Sequence, residues 1–179
     1  LQNLPATTLF WVDALRASLA SAGYQLEFQA SHACYTQTPS HALETLAHRH
    51  RAAGWVLYLS TAPLQQWFSD RGFPSVVSGS LHPGIKLLSV DTDYAAACRH
   101  AVGQFAAKGH RRVALLIPRS DQSGDLESKR GFTEAGLSQC PQPIETFVAH
   151  HDGTVPAICR TLDQLAHGNR AVTGILVAK

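Results

Sequence analysis

Helix-like and strand-like patterns of apolar and polar residues alternate along this chain. In residues 9–22 the apolar side chains recur every three or four positions, which predicts a helix that ends at Gly23. Apolar and polar residues then alternate over 24–30, which predicts a strand with one wetter face. Two uninterrupted apolar runs, 55–59 and 113–117, are typical of strands buried inside parallel sheets.

The rest of the pattern continues this alternation. Ser40 is expected to cap the second helix and Gly54 to close it, and Asp93 is expected to cap a later helix that ends at Gly109. Other helices are predicted around residues 64–68, 126–132 and 158–165, and other strands over 75–78, 86–90, 144–149 and 172–178. This order is typical of parallel sheets with helices on both faces.

Two consecutive strands, 75–78 and 86–90, interrupt the alternation, and we interpret them as the passage from one lobe to a second. The predicted fold is therefore α/β, with two Rossmann-like lobes built on parallel sheets. We expect an N-terminal lobe at 1–90 that lacks its first strand, and an incomplete C-terminal lobe at 91–179. Because the chain starts in a predicted loop and ends inside an apolar strand, we expect it to be a fragment.

Composition restricts the function classes. Of 179 residues, 45% are apolar and 16% are charged, which is typical of a globular protein and not of a disordered one. The net charge is only +2, so the basic stripe of a DNA-binding surface is missing from this sequence. No apolar run approaches the ~18 residues of a membrane span, and no signal peptide is visible. Four cysteines without paired spacing indicate small core residues in a reducing compartment.

Motifs for catalysis and nucleotide binding are not found. The sequence has no G-x-S-x-G elbow, no G-x-G-x-x-G fingerprint and no P-loop. Asp91 and Asp93 form a carboxylate pair, but a helix start favours such residues for its dipole and its cap. We therefore expect no catalytic residues and no cofactor.

Ten histidines raise the hypothesis of a metal site. His48 and His50 fall on different faces of a helix, and the adjacent pair at 150–151 cannot share one face. His32 and Cys34 lack the companion ligands that a zinc site requires. Loop or capping histidines are the better interpretation, so no metal is predicted.

The loops at the carboxyl ends of the predicted strands are the candidate binding site. Ligands bind beyond these ends in open parallel sheets, and in a two-lobed fold the ends face each other across a cleft. The loops are rich in hydroxyl and amide groups, which favours a neutral, sugar-like ligand, although surface loops have such residues in any protein. Nine of their residues are predicted to bind the effector: Thr7, Thr8, Ser60, Thr61, Ser78, Ser80, Asp121, Gln122 and Ser128.

The segment from Asp93 to Leu116, DYAAACRHAVGQFAAKGHRRVALL, resembles transcriptional regulators of the lactose-repressor/galactose-repressor (LacI/GalR) type. The shared features are an Asp that starts a helix, small residues in its first turns, and Gly-His-Arg-Arg before an apolar strand. Gly131-Phe132-Thr-Glu-Ala matches the family's Gly-Phe-x-x-Ala helix, and Pro74-Ser-Val-Val matches its Pro-x-Val-x strand. Gly23-Tyr24 also ends a first helix as in the family, so the resemblance extends over essentially the whole chain.

The resemblance implies a periplasmic-binding-protein-like type I fold with a crossover between the lobes near residues 90–93. It also implies a cytoplasmic homodimer that binds a small-molecule effector and contacts DNA through a domain outside this chain. Ser128 stands where the family often has an effector-binding Arg, and Gly79 stands where it often has an Asp. Those two side chains together would hold vicinal sugar hydroxyls, so this sequence resembles a divergent branch of the family.

Two other classes share this architecture. A periplasmic sugar-binding protein of a transporter has the same two lobes, and the residues that precede Leu1 would distinguish it by a signal peptide. The unpaired cysteines and the Gly-His-Arg-Arg helix end favour the regulator. A two-lobed α/β enzyme is the third alternative, and it lacks a catalytic constellation in this sequence.

Overall fold

The structure is a computed structural model that describes residues 6–138, 143–167 and 171–178, without the side chains of Ala6, Thr7 and Ser138. It contains two compact units, Leu1–His32 and Ala33–Lys179. In the first unit, helix α1 spans Ala6–Ser21 and ends at Gly23, whose φ of 81° is a left-handed conformation that glycine adopts without strain. The predicted first helix and its glycine stop are therefore confirmed.

The strand predicted over residues 24–30 is wrong, because this segment has no regular secondary structure. A strand needs a neighbour to complete its hydrogen bonds, and no described strand pairs with these residues. Tyr24 and Phe28 are also 56% and 42% exposed, so the apolar side of the alternation is not buried. Alternation indicates which face a strand would bury, but it does not supply the partner.

The second unit alternates helices and strands around two parallel sheets. A short 3-10 helix, His32–Tyr35, leads into it from the first unit. The helices are α2 (Ser40–His50), α3 (Ala62–Arg71), α4 (Tyr94–Ala107), α5 (Ser123–Ser138) and α6 (Val155–Ala166). The strands are β1 (Trp55–Tyr58), β2 (Ser75–Ser78), β3 (Leu88–Val90), β4 (Arg112–Pro118), β5 (Glu145–His151) and β6 (Gly174–Val177).

The first sheet has the strand order β1-β2-β3, with all neighbours parallel. Its core joins Leu57 and Val77 of the strands to Leu43 of α2 and to Trp67 and Phe68 of α3. The two aromatic rings of α3 pack edge to face with their centroids 5.0 Å apart, a favourable arrangement for aromatic pairs. This core fixes α3 against the sheet, and therefore fixes the loop between β1 and α3.

The second sheet has the order β5-β4-β6, again fully parallel. Strand β4 is central and its residues from Val113 to Ile117 are fully buried, as the uninterrupted apolar run predicts. One face of β4 packs on Val102 of α4 and Phe132 of α5. The predicted α/β fold with two parallel sheets is confirmed, while the lobe boundary between residues 90 and 91 stays a prediction.

The helix caps are partly as expected. Asp93 caps α4, because its side chain accepts a hydrogen bond from the Ala96 amide at 2.8 Å. Ser40 is not a cap: α2 begins one position after Pro39, and no side chain accepts a capping hydrogen bond there. The helix ends at Arg51, in a left-handed conformation, and not at Gly54. Proline fixes φ near the helical value, so it starts the helix without a side-chain cap.

The cysteines only partly match their prediction as core residues. Cys34 and Cys98 are buried and unbonded, as expected, whereas Cys159 is exposed. Cys140 lies outside the described residues. Within the described ranges, no helix has both the length and the apolar character to cross a lipid bilayer.

Candidate functional site

A cleft of about 390 Å³ opens where the carboxyl ends of the first sheet approach helices α4 and α5. Its lining comes from the loop after β2, the end of β3 and the segment that follows it, the first turn of α4, and α5. The lining residues are Ser80, Leu81, Ser89, Asp91, Thr92, Asp93, Tyr94, Ala95 and Glu127. The cleft therefore lies where the sequence places the crossover between lobes, at the strand ends where open parallel sheets bind ligands.

Ser80 and Asp91 connect the loop after β2 to the segment after β3. The Ser80 hydroxyl donates a hydrogen bond to Oδ2 of Asp91, and Oδ1 of Asp91 accepts from the Thr92 amide at 2.8 Å. Both strands end at the same edge because β2 and β3 are parallel neighbours, with Ser78 opposite Val90. The two residues thus form one polar wall of the cleft.

The buried side chain of Gln65 in α3 fixes the loop that carries Ser80 through hydrogen bonds. Its side chain is 1% exposed, and its amide nitrogen donates to Ser60 Oγ at 2.9 Å and to the Ser80 carbonyl at 3.2 Å. Its amide oxygen accepts from the His82 amide at 2.9 Å. One buried side chain therefore ties the loop after β1 to the loop after β2. The sequence analysis missed Gln65, although a polar residue among Leu64, Trp67 and Phe68 of α3 is a recognisable signal.

The start of α5 packs against two residues that line the cleft, Ser80 and Tyr94. A Cβ placed on Gly124 would lie 3.0 Å from the Tyr94 ring and 3.6 Å from Ser80 Oγ. The helix start can approach the loop after β2 this closely because position 124 has no side chain. Here the part of the chain that carries the second sheet comes within contact distance of the first sheet's loops.

Three buried polar atoms near the strand ends have no hydrogen-bond partner within the described residues. They are Thr61 Oγ1 after β1, His82 Nε2 after β2, and Ser123 Oγ after β4. Buried polar groups are almost always satisfied in folded proteins by protein atoms, water or a ligand. All three residues follow the carboxyl ends of strands, and none of them is among the lining residues of the cleft.

The cleft carries acidic groups and a neutral phenol. Asp91, Asp93 and Glu127 contribute carboxylates, and no basic side chain is among its lining residues. Burial, followed by the nearby Asp91 charge, raises the pKa of Tyr94 above its ordinary value of 10.0. Tyr94 therefore remains a neutral hydrogen-bond donor at physiological pH. Carboxylates that accept and hydroxyls that donate are complementary to a ligand with several hydroxyl groups.

Leu59, which follows β1, has a left-handed backbone with φ of 49° and a side chain that is 56% exposed. Bulky non-glycine residues rarely adopt this conformation, and such residues concentrate at binding sites and switch regions. Its turn directs the chain from β1 into Ser60, which is buried against Gln65. The sequence analysis assigned Leu59 to the strand, because its apolar character continues the run.

The structure separates the nine predicted effector-binding residues. Ser80 lines the cleft, Ser60 is bound to Gln65, Thr61 has an unpartnered hydroxyl, and Ser78 is half-buried at the end of β2. Asp121, Gln122 and Ser128, which follow β4, do not line the cleft. The other two predicted residues, Thr7 and Thr8, lie in helix α1.

Ser128 is buried between α4 and α5. Its hydroxyl donates to the Gly124 carbonyl at 2.9 Å and also contacts the Cys98 thiol, whose pKa is raised by burial. Asp121 is exposed, and Gln122 contributes its backbone carbonyl to the first turn of α5 by accepting from the Leu126 amide at 3.1 Å. Thr8 is buried in α1 of the first unit, and the side chain of Thr7 lies outside the described part.

Among the described residues, no group of three or more His, Cys, Asp or Glu side chains converges as metal ligands. His150 and His151 lie at the end of β5, and His32 lies in the short 3-10 helix that precedes the buried Cys34.

Solved structures of transcription regulators have the same fold as this chain. A regulatory protein of the LacI family from Chloroflexus aggregans is 27% identical with a TM-score of 0.72, and the match covers 94% of this chain and 62% of that one. The Cra transcriptional dual regulator from Pseudomonas putida, solved with fructose 1-phosphate, is 19% identical with a TM-score of 0.65, and the match covers 94% of this chain and 62% of the regulator. CcpA of Lactococcus lactis is 17% identical with a TM-score of 0.70, and the match covers 97% of this chain and 65% of CcpA.

These matches confirm that the chain resembles LacI-type regulators and has their periplasmic-binding-protein-like fold. The chain spans less than two thirds of the length of these three solved chains. No protein-family model matches the sequence, and no curated protein matches it either.

Proposed function

We propose that this chain is the ligand-sensing domain of a transcription regulator, with a small polyhydroxylated effector bound in the cleft between the first sheet and helices α4 and α5. The main support is the polar lining of the cleft at the strand ends, where the Ser80 hydroxyl and the Asp91 carboxylate are joined by a hydrogen bond and Tyr94 adds a phenol. The structural likeness to LacI-type regulators provides the regulatory context. DNA would be bound by a domain outside this sequence, in a cytoplasmic homodimer without enzyme activity.

The cleft chemistry favours an uncharged effector. A phosphate group there would meet the carboxylates of Asp91, Asp93 and Glu127 without any basic side chain in the lining. Sugar hydroxyls would instead donate to these carboxylates and to the Ser80 oxygen, whose own proton is donated to Asp91, and they would accept from the Tyr94 hydroxyl. The cleft volume of about 390 Å³ falls within the usual range of ~300–1,000 Å³ for small-molecule sites. The fructose 1-phosphate of the Pseudomonas regulator is therefore not the effector that we propose for this cleft.

The effector would regulate DNA binding by binding more tightly to one arrangement of the domain than to another. The effector would contact the loop after β2 at Ser80 and the first turn of α4 at Tyr94, so it would favour the arrangement in which these two parts lie close together. A ligand shifts an equilibrium only through its different affinity for the two states, and that difference would be transmitted to the DNA-binding domain.

Thermal denaturation with a library of neutral sugars and polyols tests the proposal. A bound effector raises the melting temperature by mass action. Ser80→Ala should weaken the best ligand at least tenfold, which corresponds to about 1.4 kcal/mol. Ser75→Ala, at the opposite end of β2, is the matched control and should leave the affinity unchanged. A library without any shift, together with a shift from a charged acid or a nucleobase, would contradict the polyol proposal.

A further inference from the structure

A second depression, the basic groove, lies outside the cleft and shares no lining residue with it. It has a volume of about 360 Å³, between the carboxyl ends of β4 and β5 and one side of α6. Its lining residues are Arg119, His150, His151, Asp152, Ala157, Arg160, Thr161 and Gln164. Two arginines and two histidines thus converge on one concave surface.

The sheet register places Arg119 beside the two histidines. Pro118 of β4 lies opposite His151 of β5, and the Arg119 amide continues the ladder by donating to the His151 carbonyl at 2.9 Å. Positions 157, 160, 161 and 164 of α6 are spaced by three and four residues, so they lie on one side of the helix. The Thr161 hydroxyl donates to the Ala157 carbonyl at 2.9 Å and, more weakly, to the His150 carbonyl at 3.5 Å, so it connects α6 to the end of β5.

The positive charge of the groove is only partly neutralised. Within the described residues, the guanidinium groups of Arg119 and Arg160 have neither a hydrogen bond nor an ion pair, whereas Arg112 pairs with Glu145. The charge of Arg160 acts on Asp152, where it is one of the smaller causes of the lowered pKa of that carboxyl. Asp152 contributes the only carboxylate among the lining residues of the groove. Its Oδ1 accepts from the Thr154 amide at 2.9 Å and from the Thr154 hydroxyl at 2.7 Å.

His151 adds an oriented donor. Its Nδ1 accepts a hydrogen bond from the Gly153 amide at 3.0 Å. A neutral imidazole whose Nδ1 accepts must carry its proton on Nε2. The ring therefore offers Nε2–H as a donor, in addition to the guanidinium groups of the two arginines.

We propose that the basic groove binds the phosphoryl group of a phosphate monoester, separately from the effector in the cleft. The planar guanidinium groups of Arg119 and Arg160 can each donate two parallel hydrogen bonds to phosphate oxygens, and this bidentate geometry makes arginine well suited to phosphate recognition. The Nε2–H of His151 supplies a further donor on the same surface. The groove is open, so the rest of the ligand extends into solvent. This site does not depend on the effector proposed for the cleft.

Isothermal titration calorimetry of the full chain at constant ionic strength tests this site. The probes are inorganic phosphate, glucose 6-phosphate and glucose. We expect both phosphates to bind and glucose to give no heat that depends on Arg119 or Arg160. Arg119→Gln combined with Arg160→Gln should lower the phosphate affinity at least tenfold, and Arg49→Gln, the same charge change on the exposed side of α2, should leave it unchanged. Circular dichroism would verify that each variant is folded.

Asp152→Asn provides a test in the opposite direction. It removes the only carboxylate of the groove lining and retains an oxygen that accepts from Thr154, so phosphate affinity should rise severalfold. Binding of glucose 6-phosphate without inorganic phosphate would still support the site, as recognition of the ester. No binding of either phosphate, equal binding by the double variant, or arginine-dependent binding of duplex DNA alone would overturn it. Ser80→Ala should not alter phosphate binding, so failure of the cleft proposal is distinguishable from failure of this one.

Discussion

Gly131 of α5 lies directly against the backbone of Ala95 in α4: a Cβ on Gly131 would stand 2.5 Å from the Ala95 Cα and 2.8 Å from its carbonyl carbon. The two helices approach here more closely than any side chain on residue 131 would permit. Both residues belong to the sequence segments that resemble LacI-type regulators. The Gly-Phe motif therefore has a structural explanation. Gly131 allows α4 and α5 to pack closely, and the following Phe132 is fully buried in the core.

Gly131→Ala should destabilise the protein by about 1–3 kcal/mol, because the added methyl group forces the two helices apart. Chemical denaturation measures this change in the free energy of unfolding. Gly103→Ala is the matched control in α4, since a Cβ at that position has no neighbour within 4 Å. It should stabilise the helix by up to about 1 kcal/mol. Equal stability of Gly131→Ala and the parent protein would refute the close approach.

Gln65→Ala should cost about 2 kcal/mol or more, because it leaves Ser60 Oγ, the Ser80 carbonyl and the His82 amide without their buried partner. Urea denaturation gives the loss of stability. The neighbouring Gln66 is exposed and contacts only Asp70 in the described structure. Gln66→Ala should therefore change stability by less than about 0.5 kcal/mol. If both variants lose the same stability, the buried network is not what holds the loops.

Asp93→Ala should destabilise the chain by about 1 kcal/mol, through loss of the hydrogen bond that caps α4 at the Ala96 amide. Asp93→Asn retains an acceptor oxygen and should recover most of this stability. Thermal unfolding of the two variants side by side is the measurement. A deficit of equal size in both would indicate that the charge of Asp93, and not its capping bond, matters.

The stability contributed by Asp152 should depend on pH. Hydrogen bonds from the Thr154 hydroxyl and amide lower the pKa of Asp152 below its ordinary value of 3.8. A carboxyl with a lowered folded pKa stabilises the protein above its unfolded pKa and loses that contribution as pH falls through the folded pKa. Melting temperatures of the parent protein and Asp152→Asn should therefore differ at pH 6 and converge as the pH falls through the folded pKa of Asp152. A difference independent of pH would contradict this assignment.

Local patterns predicted much of the fold. The strands β1 and β4, the Asp93 cap and the glycine after α1 all follow from interactions within a few residues. The burial expected for both apolar runs is found only in β4, because β1 lies at the end of its described sheet and leaves Val56 38% exposed. The strand expected at 24–30 failed because its existence depends on a partner strand, which no local pattern encodes. Leu59 was assigned to β1 for its apolar character, although its left-handed backbone places it in the loop.

The candidate site was less predictable, because it depends on contacts between loops that are distant in sequence. Loop composition identified Ser80, but Gln65 reaches positions 60, 80 and 82 from within a helix. Tyr94 and Glu127 enter the cleft from helices and not from loops. Ser128 was selected as a polar residue of the loop expected after β4, but it lies in α5, and its side chain is bound within α5 and against α4.

A crystal structure of this chain with the strongest neutral ligand from the library tests the central claim most directly. We predict electron density for the ligand in the cleft, with a hydrogen bond from Tyr94 to the ligand and hydrogen bonds from the ligand to the Ser80 oxygen and the Asp91 carboxylate. The hydroxyls of Thr61 and Ser123 should then have partners in the ligand or in waters that it orders. Density for the ligand elsewhere on the chain, with the cleft filled only by disordered solvent, would contradict the account.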